Sequence, residues 1–232
     1  STYIIIPVFN EDPLVLRSVL CSYKAIPIIV VDDGSAIPVQ SSLSDYKHEA
    51  YFEILKHKSN FGQGAALQSG VKRALELGGT VFCSVDGDGQ HHPDSCFKML
   101  VAFKNEDCDI LLGSRFLNNK AQMPILKRMV LKGGIMVNYL YAGLWLHDAH
   151  CGLRVFNREF ATKLQFFNKR QAHASEVLWI IKRFGFRFKE YPADVIYTEY
   201  AIKKGQSIWN SFLILKDLIR HKIYLLQHPI NK

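Results

Sequence analysis

Along the first half of the chain, short apolar runs alternate with stretches of helical period. Residues 3–7, 26–32, 53–56 and 80–85 are short and rich in β-branched and aromatic side chains, which predicts strands. Between them, 14–23, 65–77 and 93–104 place apolar positions at helical spacing, which predicts helices. Strands separated by helices of about ten to fifteen residues imply β-α-β units and a largely parallel sheet, a single α/β layer structure with helices on both faces. Residues 109–113 and 186–192 predict later strands. A last helix is expected over 208–226. There Trp209, Phe212, Leu213, Leu215, Ile219, Ile223 and Leu226 supply apolar surface, and Lys216, Arg220 and Lys222 supply charge. Such a basic amphipathic helix can lie in a membrane interface, cover the sheet or form a contact in a homo-oligomer. The longest uncharged stretch, 133–146, is shorter than the roughly 18–20 apolar residues of a membrane span, so no transmembrane helix is expected.

Composition narrows the class. With 232 residues and 48% hydrophobic content the chain can bury a sizeable core. No linker-like run or internal repeat divides it, so one domain over 1–232 is expected. The net charge of +8 suits an anionic partner. The basic residues form no dense block, which speaks against dedicated nucleic-acid binding. Five scattered cysteines without a C-x-x-C pair argue against a disulfide framework or structural zinc, and for a reducing compartment.

The unusual residues collect at predicted strand ends: Pro7-Val8-Phe9-Asn10-Glu11, Asp32-Asp33-Gly34-Ser35, Asn60-Phe61-Gly62-Gln63-Gly64 and Asp86-Gly87-Asp88-Gly89-Gln90. Asp-Gly alone is ordinary turn chemistry. Four such clusters on the carboxyl edge of one parallel sheet mark the place where such sheets bind ligands. Asp86 and Asp88 can share a divalent cation, and hard oxygen donors suit Mg²⁺ or Mn²⁺. A calcium-loop reading fails, because Gln90, His91 and Phe97 fall where that motif needs its fifth, sixth and twelfth residues. A dinucleotide fingerprint also fails. Gly62 and Gly64 follow the third strand, and Leu67 stands where the third glycine belongs. The amides at this helix start, Gly64 included, can still meet a phosphate or ribose.

Taken in order, Pro7-x-Phe9-Asn10-Glu11, Asp32-Asp33-Gly34-Ser35, Asn60-x-Gly62-x-Gly64-x-Ala66, Asp86-x-Asp88-x-Gln90, Gly113-Ser114-Arg115-Phe116 and Asp148-x-x-x-Gly152-x-Arg154 resemble the family 2 glycosyltransferases of GT-A fold. The resemblance is greatest to the branch of dolichol-phosphate mannose synthases and bacterial relatives that act on polyprenyl-linked substrates. It implies that Pro7, Phe9 and Glu11 line a nucleoside pocket, with Asp33 reading the base. Asp86 would face the ribose and donor sugar, while Asp88 and Gln90, beside Asp86, hold the metal. Arg115 would approach the donor or acceptor phosphates. Arg128 and Lys132, one helical turn apart, would receive the acceptor phosphate. Asp148, Arg154 and Glu176 would organise the donor sugar and acceptor, and Glu176 would be the general base if a sugar hydroxyl attacks. Lys203-Lys204-Gly205-Gln206-Ser207 resembles a loop that closes over the diphosphate, with Lys204 supplying charge.

The activity so implied is transfer of a sugar, with inversion, from a UDP, GDP or dTDP sugar to a polyprenyl phosphate or lipid-linked sugar in surface-glycan assembly. The expected setting is the cytoplasmic face of a membrane. A lipid-linked sugar hydroxyl is the favoured acceptor, since Lys132 falls where relatives usually carry serine. A sugar-phosphate nucleotidyltransferase would want a basic, Gly-rich loop after the first strand, which residues 7–11 lack. A non-catalytic module on the same fold would have no use for Asp86, Asp88 and Arg115.

Overall fold

The computed structural model describes residues 1–117, 125–148, 151–167, 170, 172–196 and 216–223, with residues 125–132 described by backbone alone. Seven strands form one sheet: β1 (Thr2–Val8), β2 (Ile28–Asp32), β3 (Phe52–Lys56), β4 (Val81–Ser84), β5 (Ile110–Ser114), β6 (Arg154–Asn157) and β7 (Phe188–Pro192). Their order is β3-β2-β1-β4-β6-β5-β7. β6 runs antiparallel to both of its neighbours, and the other pairings are parallel.

Alternation along β1 and β2 explains why these strands read as unbroken apolar runs. Ile5, Ile29 and Val31 enter one core, beneath helices α3 (Gln63–Glu76), α6 (Arg158–Lys163) and α7 (His173–Phe184). Ile4, Ile6, Ile28 and Val30 enter the other, beneath α1 (Pro13–Cys21) and α4 (Pro93–Asn105). A parallel sheet covered on both faces needs hydrophobic side chains on both. Two further helices complete the described elements: the short α2 (Val39–Ser42) and α5 (Ile125–Ala142). Residues 216–223 are also helical.

Element ends follow from local chemistry. α1 starts one residue before the predicted 14, because Asp12 caps it by accepting from the Leu14 and Val15 amides, with Pro13 in the first turn. α3 likewise begins at Gln63 rather than 65, behind Gly62 at φ 102°. The strands within 26–32, 80–85 and 186–192 are shorter than expected, at Ile28–Asp32, Val81–Ser84 and Phe188–Pro192. β6 and α7 were not expected from periodicity. Of the helix expected over 208–226, the described portion is 216–223.

After β1, β2 and β3 extend the sheet to one side, and the chain then returns to place β4 on the other side of β1. That reversal opens a crevice between the carboxyl ends of β1 and β4. The loops bearing Pro7–Glu11 and Asp86–Gln90 leave from those ends.

Candidate active site

The Asp86 carboxylate is held through both of its oxygens. Oδ1 accepts from Gln63 Nε2 at 2.8 Å and Oδ2 from His91 Nε2 at 3.0 Å. The carboxylate lies against Gly152, where a Cβ would stand 2.2 Å from Oδ2. Ser84 Oγ donates to the Gly152 carbonyl at 2.7 Å and fixes that seat. Burial pushes the Asp86 carboxyl up. The hydrogen bond from His91 and the positive charges of His91, Arg154 and His173 outweigh it and hold the group below its ordinary value.

Asp88 behaves in the opposite way. Burial and then the charge of Asp86 raise it, against the Gln90 backbone amide, with Glu11 adding to the repulsion. Gln90 donates to Asp88 through its backbone N (3.0 Å) and its Nε2 (2.5 Å), which directs its amide oxygen elsewhere. Gly87 lets this loop lie on the end of β1, since a Cβ there would meet Val8 at 3.2 Å and the Pro7 carbonyl at 3.4 Å. Among the described residues, no three His, Cys, Asp or Glu side chains are already grouped as a metal cage. The donor set nevertheless fits a hard cation: the carboxylates of Asp86 and Asp88 flank Gly87, and the Gln90 amide, which donates to Asp88 through Nε2, would offer its oxygen once turned over.

The neighbouring loops are sewn together by the acids at the end of β2. Asp32 accepts from the Ser35 and Val39 amides at 2.8 and 3.0 Å. Asn10, at φ 51°, accepts from the Ala36 amide through Oδ1 and donates its own backbone N–H to Ser35 Oγ. Asp33 is buried. Its oxygens accept from the Phe61 amide (3.0 Å), the Gly62 amide (2.7 Å) and His57 Nδ1 (2.7 Å). The carboxylate expected to read a base thus builds the wall of the loop before α3. Phe61, half exposed, and His57 line a groove of about 320 Å³ together with Gln68, Ser69 and Lys72. Phe9 is exposed at the end of β1, and Gly64 lies in the first turn of α3.

A narrow cleft joins Pro7, Gln63, Asp86, Gly152, Arg154 and His173. Arg154 is 4% exposed, and burial lowers its guanidinium while the charges of Asp86 and Asp148 oppose the shift. His173 turns Nδ1 to the Arg170 carbonyl at 2.7 Å, in keeping with a packing role. Arg115 is bound by Asp148 through both side-chain oxygens, and Glu190 accepts from the His147 and Asp148 amides. Glu176 is buried in α7. Its Oε2 accepts from the Phe167 amide at 2.7 Å, and Oε1 lies 3.9 Å from His221 Nδ1. It is not among the residues lining the Asp86 cleft. Arg128 and Lys132 both fall within the backbone of α5, and Lys204 lies outside the described residues.

Sequence reasoning missed Gln63, His91, His57, Gly152 and Glu190 as members of this network. Gln63 and Gly152 stood inside motifs already recognised. His91, next to Gln90, carried no signal beyond proximity.

The family model "Glycosyl transferase family 2" matches residues 3–164. The chain belongs to this family. It is 31% identical over 240 residues to the UDP-N-acetylglucosamine–dolichyl-phosphate N-acetylglucosaminyltransferase of Methanococcus voltae, with 95% of this chain and 96% of that one covered. It is 26% identical over 216 residues to the polyprenol monophosphomannose synthase of Mycolicibacterium smegmatis, covering 88% and 80%. The fold matches glucosyl-3-phosphoglycerate synthase from Mycobacterium tuberculosis, solved with Mn²⁺, UDP and glucosyl-3-phosphoglycerate. The TM-score is 0.67 at 13% identity, over 100% of this chain and 81% of that one. The mostly parallel sheet with its flanking helices is therefore the GT-A fold of this family of transferases.

Proposed function

We propose that this family 2 glycosyltransferase moves a sugar, with inversion, from a nucleoside-diphosphate sugar to a polyprenyl phosphate at the cytoplasmic face of a membrane. The observation that carries the reading is the Asp86–Asp88 pair at the β1/β4 crevice. The pair lies beside the strand-end loops that fit a nucleotide, with Asp86 held by Gln63 and His91 and Asp88 by Gln90. Asp88, Gln90 and Asp86 are the residues that would hold Mg²⁺ or Mn²⁺. Such an ion would supply charge neutralisation for the nucleoside diphosphate as it leaves.

The chain's own residues do the rest. Pro7, Phe9 and Glu11 line the nucleoside side, and Asp33 shapes it through His57, Phe61 and Gly62. The amides of Gln63 and Gly64 at the start of α3 face the phosphates with the positive end of the helix dipole. Asp86 holds the donor sugar over the cleft, and Arg154 supplies positive charge beneath it. An acceptor phosphate oxygen attacks the anomeric carbon from the face opposite the diphosphate. The bond to the leaving oxygen breaks as the new one forms, and the nucleoside diphosphate departs with the electron pair.

A phosphate acceptor is preferred here over the sugar hydroxyl expected from sequence. A phosphate is already anionic and needs no base. Glu176, the residue that would serve as one, is tied to Phe167 and faces His221. The named relatives above act on dolichyl phosphate or make a polyprenol monophosphate sugar.

Membrane attachment draws support from the surface. Met136, Tyr139, Leu140 and Trp145, on and just after α5, are exposed, as are Ile219 and Ile223 in 216–223. Lys222 Nζ donates to the Leu140 carbonyl at 3.0 Å and Tyr141 bonds His221, so these two segments present one surface. Among the described residues no helix is long and apolar enough to cross a membrane, and the attachment proposed is through this exposed surface.

A thermal-shift screen of UDP, GDP and dTDP sugars with Mn²⁺ tests the donor, because a ligand of the native state raises the unfolding midpoint. Radiolabelled transfer from the best donor to a polyprenyl phosphate in vesicles tests the acceptor. Donor binding with no transfer to polyprenyl phosphate, but transfer to a lipid-linked sugar, would overturn the acceptor assignment.

A further inference from the structure

Hydrogen bonds on either side of the Gly62–Gln63 peptide link connect the nucleoside-side loop to the reaction cleft. His57 Nδ1 and the Phe61 and Gly62 amides converge on Asp33. Gly62, at φ 102°, turns the backbone into α3, and Gln63 is the next residue. The Gln63 side chain then reaches across the crevice to Asp86 Oδ1, whose other oxygen is held by His91. Gln63 is the one described residue that belongs to the loop fixed by Asp33 and also hydrogen-bonds Asp86. Gln63 is exposed at the mouth of the cleft, and its side-chain amide nitrogen points in to Asp86.

We propose that Gln63 is a positioning residue: it sets the Asp86 carboxylate for the donor sugar and ties that setting to the loop that holds the nucleoside. The inference rests on the reading of Asp86 as a donor-side group. The chemistry asked of position 63 is a hydrogen-bond donor of the right reach. Without it, the Asp86 carboxylate keeps its His91 bond and its seat on Gly152 but can rotate about that contact, so its free edge no longer faces a fixed point. The geometry needs no charge on the donor, so a lysine of similar length serves, whereas a glutamate sets a second carboxylate against the first.

The test compares Gln63→Leu, Gln63→Lys and Gln63→Glu in the whole chain, using whichever of UDP, GDP or dTDP with Mn²⁺ gives the largest thermal shift as the binding probe. Losing a hydrogen bond to a charged group lowers kcat by about tenfold or more in the leucine variant, with nucleotide affinity by calorimetry within about threefold of wild type. The lysine variant returns kcat to within about fivefold, and the glutamate variant falls at least as far as leucine. If the leucine variant does not fold, the glutamate variant, equal in size to the native side chain, carries the test. Combining Gln63→Leu with Asp33→Asn gives a kcat loss smaller than the product of the single losses, because the two act along one chain. Wild-type kcat in the leucine or glutamate variant overturns the inference, as does nucleotide affinity that falls in step with kcat/KM. Asp86→Asn separates this failure from that of the underlying reading. An inactive Asp86→Asn beside an unimpaired Gln63→Leu removes only the role of Gln63, and an Asp86→Asn enzyme at full turnover removes the site.

Discussion

Arg115 and Asp148 meet through two parallel hydrogen bonds, Nε to Oδ2 at 2.5 Å and Nη2 to Oδ1 at 2.7 Å, with the aspartate side chain 1% exposed. The Arg115 backbone amide adds a third at 3.1 Å. The fork joins the turn after β5 to the segment that leads to β6, which carries Gly152 and Arg154 beneath Asp86. In the proposed function Arg115 acts by holding this segment.

That relationship predicts a large effect from a small change. Lysine cannot reproduce the planar fork. Removing one partner of a buried pair is expected to destabilise by about 3–5 kcal/mol. Arg115→Lys keeps a cation opposite Asp148 and loses only the fork, so its cost should fall below that range and still lower the urea midpoint together with turnover. An unchanged midpoint with lost turnover would move Arg115 from the scaffold to the substrate.

The seat of Asp86 is equally specific. A Cβ at Gly152 would stand 2.2 Å from Oδ2 and 2.6 Å from both Cγ and Oδ1. Gly152→Ala must push the carboxylate off its position. Displacements of about 1 Å at a reacting centre cost on the order of 100-fold, so kcat should fall by about that much while a folded, nucleotide-binding protein remains. Normal turnover in this variant would show that Asp86 need not sit where the structure places it.

Much of this was legible in the sequence, and the limits have physical causes. β1, β2 and β4 read clearly because strands buried on both faces must be apolar at successive positions, as Ile4, Ile5 and Ile6 are. β6 did not, since it is four residues long and opens with Arg154. The six ordered motifs gather at one sheet edge, where the loops that leave it must turn sharply. Motifs cannot say which way a carboxylate points. Asp33 looks the same in sequence whether it faces a base or, as here, the Phe61 and Gly62 amides. Glu176 looks like a base until its carboxylate is found against the Phe167 amide.

Asp33→Ala should therefore produce two losses at once. Nucleotide affinity falls about 10–100-fold as the loop before α3 loosens. Stability also falls by about 1–3 kcal/mol, because the buried Phe61 and Gly62 amides lose their acceptor. Calorimetry and urea denaturation on the same variant measure both. An affinity loss without a stability loss would favour direct reading of the base by Asp33.

For the metal, Asp88→Ala is expected to abolish transfer and leave the fold intact, since among the described residues the carboxylate's hydrogen bonds run to Gln90 within its own loop. Circular dichroism and Mn²⁺-dependent nucleotide binding check the two halves. A folded Asp88→Ala variant with wild-type turnover in EDTA would remove the ion from the proposal.

The acceptor is decided by Glu176 read together with Arg128 and Lys132. Glu176→Gln keeps the size of the side chain and removes its charge. If a sugar hydroxyl attacked, loss of the base would lower kcat by about 10²–10⁴-fold. With a phosphate acceptor, kcat should stay within about tenfold, and the main effect should be on the α7 contact with Phe167 and His221, seen as a lower unfolding midpoint. Arg128→Glu with Lys132→Glu places two negative charges one turn apart on α5, where a phosphate clamp is proposed. The double variant should raise the KM for polyprenyl phosphate steeply and leave donor binding unchanged. Binding of the wild-type protein to anionic vesicles should weaken with salt, because exposed charge pairs are screened over about 10 Å at 0.1 M. The two variants fail in distinguishable ways. A dead Glu176→Gln that still folds restores the sugar-hydroxyl acceptor, whereas full activity of the charge reversal moves the phosphate away from α5 and leaves the donor site standing.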